Sequence, residues 1–147
     1  MARLLDFEIL VGDEVIQLSE RGTRAINKAV ELVATEVWGN IGREAPTDEG
    51  RLGGSWQLTR KGPRTWSVAT RVLYASFVND GTGIYGPAGR RITPQRAAVL
   101  VFKWMGQTWF RRSVKGQQAN PYADRAVDKA SGRAQDFADI AIREEFA

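Results

Sequence analysis

The segment Asn79–Gly83, which reads NDGTG, is where the backbone of this chain is best placed to do chemistry. Its glycines would let successive N–H groups converge on a phosphate or another anion. The segment lacks the Lys-Ser/Thr ending of a P-loop and the glycine spacing of a dinucleotide-binding fold. A tight turn is the alternative, with Asn79 or Asp80 bonding its own backbone and with Gly81 at positive φ. We predict the turn, whose structural residues are Asn79, Asp80, Gly81 and Gly83.

Asp80 is the only acidic side chain between residues 51 and 123, and so the only candidate general base in that stretch. The chain contains no histidine and no cysteine, which removes the commonest general base and the usual ligands of zinc sites. The other carboxylates lie mainly on the faces of predicted helices, and the sequence assigns no two of them to glycosidase-like spacing. We therefore predict that the protein is not an enzyme, with no catalytic residue, no metal and no cofactor.

Seven basic residues are interleaved with large aromatic residues between residues 90 and 115. Basic residues beside aromatic rings bind single-stranded nucleic acid through phosphate contacts and base stacking. They also suit contact with an acidic surface of another subunit, because guanidinium groups form ion pairs well at interfaces. Alternation along residues 108–114 would put Trp109 on a core face and leave Arg112 exposed. The candidate interface residues are Arg90, Arg91, Arg96, Arg111, Arg112 and Lys115.

Charge is distributed unevenly along the chain, whose net charge is +4. Residues 1–50 hold 5 Lys or Arg against 10 Asp or Glu, residues 51–123 hold 12 against 1, and residues 124–147 hold 4 against 6. A basic centre between acidic ends indicates one of two partners. The first is a polyanion, and the second is another copy of the chain, whose acidic helices would meet the basic region head to tail.

Length and composition are typical of one globular domain that covers residues 1–147. The 147 residues are enough to bury a core, and 43% of them are hydrophobic. No apolar run approaches the roughly 18 residues that a membrane-spanning helix needs. Acidic residues at Asp6 and Glu8 interrupt the apolar start that a secretory signal would require. We expect no membrane contact.

Hydrophobic periodicity predicts an α+β fold, in which a mostly antiparallel sheet packs with a long N-terminal helix and a C-terminal helix. Apolar positions at three- and four-residue steps indicate that the first helix begins at Asp13 or Ser19 and ends near Asn40. Gly39 and Gly42 are its predicted stop signal. The other predicted elements are an edge strand at 3–11, a loop at 45–54, hairpins at 55–72 and 99–114, a strand or short helical turn at 73–78, a loop at 79–91, and a final helix that begins at Asn120 and Pro121.

Four short motifs occur in an order that resembles a known family. They are Ala45–Leu52 (APTDEGRL), Tyr74–Thr82 (YASFVNDGT), Phe110–Val114 (FRRSV) and Asn120–Ala126 (NPYADRA). The first follows a long helix, the second follows a hairpin, and the last begins a helix with small residues. In that order, over about residues 15–130, the chain resembles the tail-completion and head–tail joining proteins of the neck of long-tailed bacteriophages.

The resemblance implies a structural virion protein that is made in the host cytoplasm. Such a protein assembles with itself into a hexameric or dodecameric ring that completes the tail and joins it to the head connector. The partners implied are the portal-side connector or adaptor and the tail terminator or tail-tube protein, with incidental contact to DNA in the channel. The alternative function is a basic nucleic-acid-binding module, which the residues between 90 and 115 would also serve.

Overall fold

A computed structural model describes residues 5–10, 19–47 and 50–147 of the chain. Contacts divide these residues into two compact units. The hairpin unit is Ser76–Pro121, and the helical unit comprises the described residues up to Ala75 together with Tyr122–Ala147. The two small antiparallel sheets and the helices confirm the predicted α+β class. The prediction of a single domain stays a prediction.

Helix α1 (Glu20–Glu44) is the long N-terminal helix that the sequence predicts. Ser19 is its N-cap, because the Ser19 Oγ accepts a hydrogen bond from the Gly22 N–H at 3.2 Å. The earlier start at Asp13 lies outside the described residues. The buried residues of α1 recur along one face, at steps of three to five residues from Ala25 to Asn40, which confirms the amphipathic pattern. The buried apolar residues are Ala25, Val30, Ala34, Val37 and Ile41.

The predicted end of α1 near Asn40 is wrong, because the helix continues to Glu44. Gly39 and Gly42 lie within it, so a glycine alone does not end a helix that packs along its whole length. The stop comes from Pro46, whose ring disfavours helical geometry at the preceding residue. Ala45 accordingly has the extended angles φ −62° and ψ 141°.

A three-stranded antiparallel sheet packs beside α1 in the order β1-β3-β2. Strand β1 (Asp6–Leu10) is the predicted edge strand, and β2 (Gln57–Gly62) with β3 (Thr65–Ala69) forms the first predicted hairpin. Val68 of β3 is fully buried. The predicted loop at 45–54 ends in a short helix instead, α2 (Arg51–Gly54); residues 48 and 49 lie outside the described residues.

The predicted C-terminal helix is present as two helices, α4 (Tyr122–Ser131) and α5 (Ala134–Phe146). The break falls at Gly132 and Arg133, where the Arg133 N–H bonds the Ala130 carbonyl at 3.0 Å in a tightened turn. Both helices pack on α1. Small side chains on the packed face allow this close approach, and the fully buried ones in α4 are Ala123, Ala126 and Ala130.

The segment at 73–78, which fitted a strand or a helical turn, is helical. Helix α3 (Tyr74–Asp80) covers residues 74–78 of it, and the loop begins at Gly81 and not at the predicted residue 79. A 3-10 turn follows at Gly83–Tyr85. Strands β4 (Leu100–Trp104) and β5 (Gln107–Arg111) then form the second predicted hairpin.

Candidate assembly surface

The turn after α3 has the geometry of a helix C-cap. Gly81 has φ +82°, and its N–H donates to the Phe77 carbonyl at 3.0 Å. Asn79 is buried, and its Nδ2 donates to the Asp80 Oδ1 at 2.9 Å. Asn79 and Asp80 are therefore the last two residues of α3, and the expected positive φ at Gly81 is present.

Two backbone segments cross directly after this cap. The N–H of Thr82 donates to the Gln117 carbonyl at 2.9 Å, and the N–H of Ile84 donates to the Lys115 carbonyl at 2.8 Å. The Gln117 N–H returns a 2.8 Å hydrogen bond to the Thr82 Oγ1. These N–H groups are consumed inside the protein, so they are not free to form the anion nest that the sequence also allowed.

Glycine is required at this crossing because the two backbones touch. A Cβ on Gly83 would lie far inside van der Waals contact with the Lys115 carbonyl oxygen. A Cβ on Gly116 would collide in the same way with the Thr82 carbonyl oxygen. Both glycines also have positive φ, +64° and +97°. The structural role predicted for Gly83 thus has a partner, Gly116, that the sequence pattern did not single out.

The base of the second hairpin is tied by a short bridge. Ile92 and Val114 exchange two backbone hydrogen bonds of 2.9 and 3.0 Å. Beside them, the Arg91 Nε donates to the Ser113 Oγ at 2.9 Å. The bridge therefore brings the predicted interface residue Arg91 next to the segment that carries Arg112.

Both faces of the β4–β5 hairpin carry large apolar side chains that are exposed. The register pairs Phe102 with Trp109 on one face and Val101 with Phe110 on the other. Trp109 is half-buried, although not in a domain core: it lies against Trp104, with ring centroids 6.1 Å apart. A two-stranded hairpin is marginally stable on its own in water, and exposed apolar patches of this kind mark interaction sites.

The basic side chains of the hairpin unit are exposed and form no ion pair with any described residue. Arg111 lies over the Trp109 ring, with its guanidinium carbon 4.7 Å from the ring centroid. Arg96 lies between the bridge residue Ile92 and β4, and Arg112 directly follows β5. The uncompensated set is Arg90, Arg91, Arg96, Lys103, Arg111, Arg112 and Lys115.

Several cations of the helical unit, by contrast, have acidic partners within it. Glu44 accepts from Lys129 and, at 3.2 Å, from Arg125, so the carboxylate at the end of α1 holds α4 in place. These hydrogen bonds, with that of Lys129 the stronger, hold the pKa of Glu44 below its usual range. Glu36 accepts in the same way from Arg133 at 2.7 Å.

An apolar groove opens between α1 and α5, and nothing in the sequence pattern had indicated it. We name it the α1–α5 groove. Its volume is about 360 Å³. Small residues such as Ala29 and Ala138 keep the two helices close, while larger side chains form its walls. The main lining residues are Ile26, Ala29, Ala138, Ile142 and Phe146.

Comparison of the chain with protein-family models, with curated proteins and with solved structures finds no match. No helix among the described residues is long and apolar enough to cross a membrane. In the same part of the chain, no cluster of three or more His, Cys, Asp or Glu side chains is placed to hold a metal ion.

Proposed function

We propose that this protein is a structural component of the virion neck of a long-tailed bacteriophage. Copies of it assemble into a ring that completes the tail and joins it to the head connector. The order of the four sequence motifs supports the proposal. The observation that carries it is the surface of the hairpin unit. Seven basic side chains there have no ion-pair partner among the described residues, and apolar side chains are exposed on both faces of the β4–β5 hairpin.

Such a surface fits protein contact better than phosphate contact. Nucleic acid is bound by cations and stacking rings, yet this hairpin also exposes the aliphatic side chains of Val101 and Met105. Aliphatic side chains next to aromatic and arginine residues are typical of the core of a protein–protein interface. The acidic residues of the C-terminal helices supply complementary charge in a neighbouring copy. A contact between two different faces of identical subunits closes into a ring when the rotation allows it.

Charge reversal at the hairpin tests the proposal. The variant converts four arginines of the hairpin unit to glutamate: Arg90 and Arg91, which precede the bridge residue Ile92, and Arg111 and Arg112 at the end of β5. The control applies the same change of net charge to exposed arginines of the helical unit: Arg21, Arg51, Arg60 and Arg71. We expect the wild type and the control to assemble above the monomer mass of 16.3 kDa, and the hairpin variant to remain monomeric. A hairpin variant that assembles as the wild type does would contradict the proposal.

A basic nucleic-acid-binding module is the second candidate function. The stacked Arg111 and Trp109, with Trp104 exposed beside them, form a surface on which a base could stack. This function predicts quenching of tryptophan fluorescence by single-stranded DNA, with an affinity that falls steeply as salt rises. Tight, salt-sensitive binding would move this candidate to first place, whereas weak binding without quenching would remove it.

A further inference from the structure

The outer edge of β4 is open. Among the described residues β4 pairs only with β5, and the two-residue turn at 105–106 makes Trp104 and Gln107 a hydrogen-bonded pair. Such pairs alternate along antiparallel strands, so the backbone N–H and C=O groups of Val101 and Lys103 point away from β5. No backbone group of the described residues bonds them. The edge can therefore accept another strand.

Strand β1 has a matching open edge on the three-stranded sheet. It pairs with β3 on one side, and like β4 it is five residues long. The Thr70 N–H donates to the Leu5 carbonyl at 3.3 Å, which fixes the alternation of bonded pairs along β1. Asp6, Glu8 and Leu10 therefore direct their backbone groups away from β3, and no backbone group of the described residues bonds them.

Charge selects β1 as the strand that fits the edge of β4. The only charged side chain of β4 is the exposed Lys103, and a lysine on an edge strand discourages pairing with strands that are not acidic. The other outer strand of the three-stranded sheet, β2, carries Arg60 and Lys61, and its register is irregular there. Strand β1 instead carries only acidic charges, Asp6 and Glu8, and its register is regular.

We propose that β1 of one copy adds to the outer edge of β4 in a second copy, antiparallel, with Glu8 opposite Lys103 and Leu10 opposite Val101. This register joins the outward-pointing backbone groups of the two strands. The Glu8 carboxylate is exposed and forms no hydrogen bond or ion pair with a described residue, so the contact supplies its cation. The inference rests on the proposed function and names one contact that would join neighbouring subunits of the ring.

The remaining pairs of this register are apolar. Leu10 and Val101 are 57% and 59% exposed, and each would be covered by the other. Ile9 comes opposite Phe102, and Phe7 opposite Trp104. A strand beside β4 would therefore remove apolar surface of the hairpin from water. Because two different edges meet, the contact is heterologous and repeats from copy to copy.

Val101→Pro tests the strand pairing without removing a bond of the hairpin. The Val101 N–H points away from β5, so proline removes a donor from the outer edge alone. We expect self-association, measured by sedimentation velocity, to weaken by roughly tenfold or more. Val101→Thr is the matched control, because it keeps both the N–H and the β-branch, and it should associate nearly as the wild type does. Equal association of the two variants would overturn the proposal.

A charge swap tests the register. Glu8→Lys and Lys103→Glu each place like charges opposite one another, and each should weaken self-association by roughly threefold to tenfold. A chain that carries both changes should associate as the wild type does, because the pair is restored with its signs exchanged. Lys61→Glu is the matched control, since Lys61 lies on β2, which the contact does not use, and it should leave association unchanged. Losses that simply add in the double variant would refute the pair.

The state of the hairpin in Val101→Pro is read from circular dichroism. The rings of Trp104 and Trp109 are 6.1 Å apart, and their coupled band should persist if the hairpin is folded. If the band is lost, the charge swap decides: rescue by the double variant supports the contact, and absence of rescue overturns it.

The other outcomes count against the contact and the proposed function in distinguishable ways. Assembly that all of these variants leave unchanged would show that copies join elsewhere, and the proposed function would stand. A wild-type chain that is monomeric at every concentration would remove both the contact and the ring. Salt-sensitive binding of single-stranded DNA that Val101→Pro abolishes would assign the open edge to nucleic acid.

Discussion

Gly83→Ala is expected to lower the free energy of unfolding by roughly 2–5 kcal/mol. A non-glycine residue at the observed φ of +64° costs about 1–2 kcal/mol. The added Cβ also meets the Lys115 carbonyl, so the crossing segments must separate. Separation breaks the hydrogen bonds of Thr82 and Ile84 to the other segment, each of which contributes about 0.5–1.5 kcal/mol.

Gly89→Ala is the matched control for this prediction. Gly89 has nearly the same φ, +61°, but a Cβ there would meet nothing within 4 Å. The control therefore carries the backbone strain of about 1–2 kcal/mol without the collision. At about 3 °C per kcal/mol, we expect Gly83→Ala to lower the melting temperature by roughly 6–15 °C and Gly89→Ala by about 3–6 °C.

Two measurements check the prediction. Thermal unfolding gives the melting temperatures, and amide hydrogen exchange shows whether the loss is local. In Gly83→Ala we expect the amides of Thr82, Ile84 and Gln117 to lose more protection than those of α1 do. If Gly83→Ala costs no more than Gly89→Ala, the close backbone crossing is not what requires glycine, and the reasoning is refuted.

Three further predictions concern the helical unit. Trp56→Ala should cost about 3–5 kcal/mol in chemical denaturation, because Trp56 is buried between Phe7 and Tyr122; a cost below about 1 kcal/mol would contradict this packing. Asn40→Ala should cost about 1–3 kcal/mol, since the buried Asn40 amide donates to a backbone carbonyl of α4, and an unchanged denaturation midpoint would count against that role. Because the pKa of Glu44 is lowered in the folded state, its ionised carboxylate stabilises the fold at pH values above 4.5, the ordinary pKa of this group. This stabilisation is lost as the pH falls below 4.5. As the pH is lowered through this range, the melting temperature should therefore fall less for Glu44→Gln than for the wild type. Equal slopes of melting temperature against pH would refute the stabilising role of Glu44.

The elements of the fold could be predicted where local signals agree with packing. Ser19 begins α1 as an N-cap, and the alternating residues of β2 and β3 form the expected hairpin. The signals failed where packing decided the outcome. Gly39 and Gly42 resemble a helix stop, but α1 continues over them because its buried face extends to Ile41. Gly132, in contrast, does interrupt the C-terminal helix.

The candidate site was predicted only in part, because local sequence patterns do not show which distant segments contact each other. The exposure of Arg112 follows from strand alternation alone. Arg111 shares the face of Trp109, which alternation assigned to a core, and it is exposed because that face covers no core. The contact between Gly83 and Gly116 joins segments more than thirty residues apart, and no local pattern encodes it. The α1–α5 groove likewise depends on how two distant helices pack.

The most direct test of the account is the mass of the purified chain in solution, measured by light scattering over a range of concentrations at low and high salt. The account predicts a discrete multiple of 16.3 kDa that forms as concentration rises and dissociates as salt screens the basic hairpin from its acidic partner. A mass that stays at 16.3 kDa under all of these conditions, or that rises only when DNA is added, would contradict it.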